Sequence, residues 1–96
     1  MDMTEFPMVD VFKVRGLDGH RLWVRFTDGY EGIQDLSDFV ASGGEMVEPL
    51  KSQDFFNRVF VELGVPTWPN SLDIDATNLY ITLRVAGALS TSVAAE

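Results

Sequence analysis

Hydrophobic and polar positions alternate most clearly near the start of the chain. Val9-Asp10-Val11-Phe12-Lys13-Val14-Arg15 is rich in β-branched and aromatic residues with partial alternation, which predicts a strand. Gly16-Leu17-Asp18-Gly19 supplies turn chemistry. Arg21-Leu22-Trp23-Val24-Arg25-Phe26 then alternates strictly, the strongest strand signal in the chain. The Asp28-Gly29 pair tolerates positive φ in a tight hairpin, so residues 30–34 are expected to return as a third strand. With Asp28-Gly29 as a two-residue turn, Val24 is expected opposite Ile33, and Phe26 opposite Glu31. That register collects Leu22, Val24, Phe26 and Ile33 on one face, joined by Phe12 and Val14. Arg21, Trp23 and Arg25 then point the other way, with Lys13 and Arg15 alongside.

Beyond the meander the pattern shortens. Residues 35–40 read as a helical turn ended by Gly43-Gly44, and Ser52 is placed to cap one turn through Phe56. Residues 58–63 predict a fourth strand, Gly64-Val65-Pro66 a turn, and Thr67-Trp68 a brief fifth strand. Asp73 or Asp75 can cap a helix through Tyr80 and on to Val85, with Leu72, Leu79, Leu83 and Ala86 as its apolar stripe. Residues 1–8 read as a lead-in, and the small, polar stretch 88–96 is expected to be less ordered. The fold expected is α+β: an antiparallel β-meander sheet of four to five strands with one to three short helices packed on one face. Residues 1–96 are read as a single domain with its core between about 9 and 86.

Composition narrows the chemistry. With 46% apolar and 23% charged residues, the 96-residue chain has ordinary globular make-up. It has no cysteine and one histidine, His20, which removes disulfides, thiolate metal sites and cysteine nucleophiles and leaves no ligand set for zinc. No cofactor is expected. No stretch approaches the roughly 20 apolar residues of a membrane helix. Met1-Asp2-Met3-Thr4-Glu5 lacks the basic region of a secretory signal, so a cytoplasmic location is expected. Fifteen acids against seven bases give a net charge of −8, which disfavours nucleic acid and suits either a basic partner or plain solubility.

The order of these signals resembles a known family. Leu22-Trp23-Val24-Arg25-Phe26-Thr27-Asp28-Gly29 is followed by Asp35-Leu36-Ser37, Pro49-Leu50, Asp54-Phe55-Phe56 and Val59-Phe60-Val61. Trp68-Pro69-Asn70-Ser71-Leu72-Asp73-Ile74-Asp75 then leads to Leu79-Tyr80. Over about residues 9–80 this is similar to the DUF2442 family of small bacterial proteins. Ser71 and Ala76 stand where that family often has Gly and Pro. The resemblance implies a small α+β domain on a curved antiparallel sheet. In some relatives it implies an added DNA-binding helical domain, which is not expected in this chain, or a gene beside a small partner in toxin–antitoxin-like pairs. It brings no catalytic residues.

Two places are candidates for binding. The outward face with Arg21, Trp23 and Arg25 combines residue types favoured at binding hot spots. It can equally be a tryptophan packed on arginine stems, or covered by the C-terminal helix, to order the sheet. An RNA-stacking role for Trp23 ranks below both. Trp68, Asn70 and Asp73 can form a small polar pocket, or serve only to turn the chain and start a helix. Asp35, Asp38, Asp73 and Asp75 read as caps and solvated charges, since calcium-loop spacing is missing. His20 reads as a solvated turn residue. The functional expectation is a non-catalytic protein-interaction module, one half of a regulatory or toxin–antitoxin-like pair. The alternative is a small-ligand-binding domain with its pocket at Trp68. An open strand edge would also permit a homodimer.

Overall fold

The computed structural model describes residues 9–91; the expected lead-in at 1–8 and the last five positions of the expected loose tail lie outside them. Strands β1 (Val11–Leu17), β2 (Arg21–Phe26) and β3 (Tyr30–Asp35) form the antiparallel meander, and β6 (Ser90–Thr91) extends it in the order β1-β2-β3-β6. A separate hairpin pairs β4 (Phe60–Glu62) with β5 (Val65–Thr67). Helices α1 (Ser37–Ala41), α2 (Gln53–Phe56) and α3 (Ala76–Val85), with a 3₁₀ turn at Glu48–Lys51, complete an α+β fold.

Strict alternation in β2 decides which way the sheet faces. Leu22, Val24 and Phe26 are enclosed while Trp23 and Arg25 lie on the far side. Burying each such apolar side chain contributes about 1.5–3 kcal/mol relative to leaving it exposed. These residues share one hydrophobic cluster with Leu50, Phe56, Trp68, Leu79, Tyr80 and Leu83. The Phe26 and Tyr80 rings meet edge to face at 4.9 Å, and the Tyr80 hydroxyl donates to Asp28 Oδ2 at 2.6 Å, tying α3 to the β2–β3 loop.

The register differs from expectation by one residue. The β2–β3 loop holds three residues, Thr27-Asp28-Gly29: Gly29 (φ 93°) donates to Phe26 O, and Asp28 Oδ1 accepts from Tyr30 N–H. Val24 therefore faces Gly32, and Trp23 faces Ile33. Because a one-residue slip moves every side chain to the other face, Ile33 leaves the core for the outer face, where it is 44% exposed. Gly32 takes the inward place, and a Cβ there would meet Ala88 O at 2.8 Å. A second departure lies in β1, where the register shifts between Val11 and Lys13. That bulge resets the alternation, so Val11 is buried and Phe12 turns outward at 57% exposure.

Local signals set the helices. Ser52 Oγ accepts from Phe55 N–H at the start of α2, and Asp75 accepts from Asn78 N–H at the start of α3. Ala76, Leu79, Tyr80 and Leu83 form the buried side of α3, and Ala86 is exposed rather than part of its stripe. The helix ends with Gly87 N–H on Arg84 O and Ala88 N–H on Leu83 O, with Gly87 at φ 71°. This reversal sends the chain back along β3. Ser90 and Thr91, expected to be loose, pair instead with Glu31 and Tyr30. In the second hairpin the turn is Leu63-Gly64, with φ of 53° and 77°, one step before the expected Gly64-Val65-Pro66.

Candidate functional site

The outer face of the meander collects the chain's positive charge. Register alone places Lys13 beside Arg25, Arg15 beside Trp23, and Arg21 between Leu17 and Asp35. Four of the seven lysines and arginines thus lie on one side of one sheet in an acidic protein. Trp23 is half-buried; the guanidinium carbons of Arg15 and Arg25 sit 5.9 and 6.0 Å from its ring centroid. Such contacts contribute about 0.5–1 kcal/mol each at exposed sites.

These cations are not equivalent. Arg25 donates through Nε and Nη2 to Glu31 Oε1, at 3.3 and 3.1 Å, so a carboxylate already offsets its charge. Arg21 Nε donates to Asp18 O, and Asp35 stands opposite it in register. The Asp35 carboxyl is held below its usual range, chiefly by hydrogen bonds from Ser37 and slightly by Arg21. Lys13 and Arg15 form no ion pair among the described residues; they are the exposed, uncompensated charges of the face.

A wall beside β1 turns this face into a groove. The β4–β5 hairpin lies against β1, with Val11 N–H donating to Gly64 O at 2.8 Å. Val59, Phe60 and Val61 from that side, with Phe12, Lys13, Arg15, Trp23 and Arg25, enclose an open groove of about 440 Å³. Phe12 and Phe60, 57% and 40% exposed, are its apolar rims. A smaller hollow of about 210 Å³, bounded by Arg15, Leu17 and Trp23, lies at the other end of Trp23. Phe12, Phe60 and the dominance of Lys13 and Arg15 were missed by the sequence reading. A bulge and the docking of a separate hairpin create them, and neither leaves a periodic signal.

The second candidate place is built differently. Trp68 is fully buried, its indole N–H donating to Phe56 O at 2.9 Å and its ring centroid 5.7 Å from that of Phe56. Asn70 Nδ2 donates to Met46 O and its Oδ1 accepts from Leu72 N–H. Asp73 is exposed and bridges Thr67 through its backbone. It borders a shallow hollow of about 130 Å³ with Glu62, Leu63 and Ser71, away from the Trp68 ring. His20 also departs from its expected solvated turn. Its ring stands edge-on to Phe56 at 5.2 Å, and Nε2 is enclosed without a hydrogen-bond partner. It turns toward the core, so it adds nothing to the cationic face.

The family model described as a protein of unknown function, DUF2442, matches residues 11–82. The chain belongs to that family. No curated protein and no solved structure matches it. The matched span of this DUF2442 domain runs from the start of β1 into α3, so it includes both candidate places. The two departures noted for DUF2442 fall where the structure gives them meaning. Ser71 adopts φ 75°, the left-handed region that favours glycine, and Ala76 is the first helical residue after the Asp75 cap, where proline is favoured. Among its described residues no helix is long and apolar enough to cross a membrane, and no three metal-ligating side chains gather.

Proposed function

We propose that this domain is a non-catalytic protein-interaction module that presents the outer face of its meander to a partner polypeptide. One observation carries the reading. A half-exposed tryptophan, two exposed phenylalanines and two uncompensated cations meet in one open groove, on a molecule whose other tryptophan is wholly committed to the core. Tryptophan and arginine on a rigid, register-locked sheet supply contact area without the entropy of ordering a loop. A two-protein pair of the kind implied for some family members is in keeping with this design.

Affinity capture from cells that make the protein tests it. Wild type is expected to retain one stoichiometric protein, which the Trp23→Ala, Arg15→Ala variant loses and an Arg58→Ala control keeps. Identical retention by all three would remove the outer face from consideration.

A further inference from the structure

The groove differs from its surroundings in sign as well as in shape. Three cations are offset by a carboxylate: Lys51 by Glu48, Arg58 by Asp54 and, within the groove, Arg25 by Glu31. Arg21 and Arg84 form no ion pair among the described residues but lie outside the groove. Lys13 and Arg15, two residues apart on β1, form none either, and both line the groove. Side chains two apart on a strand share a face about 7 Å apart. That spacing matches two carboxylates two residues apart on another extended chain. The ring of Phe12 and, on the opposite wall, that of Phe60 also line the groove, and an apolar side chain can be sheltered there. After Val11, β1 makes backbone hydrogen bonds to β2 alone among the described residues, so its outer edge is unpaired although the β4–β5 hairpin lies against it.

We propose that this groove takes an acidic, extended segment of the partner, with alternate carboxylates against Lys13 and Arg15 and an apolar side chain at Phe12 and Phe60. This rests on the outer-face reading above and names the chemistry of its occupant. Charge complementarity selects the class. A short acidic segment meets the two cations and ends. A long polyanion such as RNA would run on over a surface carrying the remainder of fifteen acids, within the ~10 Å reach of charge at 0.1 M salt.

Selection of a random octapeptide library on the immobilised domain tests it directly. Recovered sequences are expected to carry two or more Asp or Glu residues around a Leu, Ile or Phe. A synthetic representative, labelled and followed by anisotropy, is expected to bind about tenfold more weakly to Lys13→Glu, Arg15→Glu, the equivalent of roughly 1.4 kcal/mol. The charge-matched Lys51→Glu, Arg58→Glu variant is expected to bind as wild type, which separates a local effect from general repulsion. Circular dichroism checks folding, and Lys13→Gln, Arg15→Gln supplies a milder pair. Sequences without acidic bias, no recovered sequences, equal loss in both charge variants, or tighter binding of an oligouridine would each overturn the proposal. If Trp23-dependent capture of a partner persists alongside such a result, the acidic segment falls and the interaction module stands. If neither is seen, both fall.

Discussion

The two tryptophans occupy opposite extremes of the same small structure. Trp68 has no exposed surface and satisfies its N–H on Phe56 O. Trp23, on the middle strand of the meander, keeps part of its ring in solvent between two arginines. The Trp-Pro-Asn corner looks the more distinctive of the two in sequence, yet its residues are absorbed in closing a loop and filling the core. The plain alternation of β2 is what leaves a large aromatic side chain outside. Here a conspicuous motif marks packing, and a regular strand leaves the exposed aromatic surface that the proposed partner would use.

The largest test of that contrast is Trp68→Ala. It is expected to cost about 3–5 kcal/mol, the usual range for deleting a buried aromatic, a large share of the roughly 5–15 kcal/mol of a domain this size. Urea denaturation followed by circular dichroism measures it. Tyr80→Phe, on the inner side with Trp68, is expected to cost roughly 1.5–3 kcal/mol by losing a hydrogen bond to a carboxylate. The Tyr80 phenol is pushed up to about 12, first by burial and then by Asp28. A raised folded value means that its contribution is fully present below pH ~10, the unfolded value. It is lost as pH rises toward and through 12. Alkaline melts of wild type are therefore expected to fall steeply over that interval, and those of Tyr80→Phe less so.

Trp23→Ala is expected to lower stability by about 1–2 kcal/mol, since it forfeits surface packing and two weak ring–cation contacts. Partner capture should nevertheless be abolished. A loss as large as that of Trp68→Ala would make Trp23 a structural residue and erase the contrast. The smallest effect concerns the corner itself. Ser71→Gly is expected to raise stability by about 0.5–1 kcal/mol, because the left-handed backbone there penalises any side chain. A rise in the urea midpoint at unchanged slope would register it.

Much of this was legible in the chain because it depends on local periodicity. The bounds of β2 and the Ser52 cap follow from side-chain alternation and capping chemistry. For α3 the chain offered Asp73 or Asp75 as the cap and Val85 as the end, and the structure uses Asp75 and Val85. The register of β3 was not legible, since Asp28-Gly29 suits a two-residue or a three-residue loop. The choice is made by Gly32, which must lie under the Ala88 carbonyl. Ile33 and Phe12 were misassigned to the core for related reasons. A loop residue in one case and a bulge in the other shift the alternation without altering composition. Lys13 and Arg15 were placed beside Trp23 correctly, but their lack of counter-ions depends on Glu31 and Asp35 standing nearer the other two arginines. The wall at Phe60 depends on a docked hairpin that no short-range pattern encodes.

That docking has a kinetic meaning. Among the described residues one backbone hydrogen bond, from Val11 to Gly64, joins the hairpin to the four-stranded sheet. The hairpin's own ladder and the sheet's ladders are complete without it. Separating the two therefore breaks no strand pairing, and its cost is set instead by the packing of the buried Pro66 and of Val61 and Val65 against the core. The Val11 amide becomes a reporter for the width of the groove. Its deuterium uptake tracks how often the wall stands away from β1, while the β2 amides exchange only when the whole sheet comes apart.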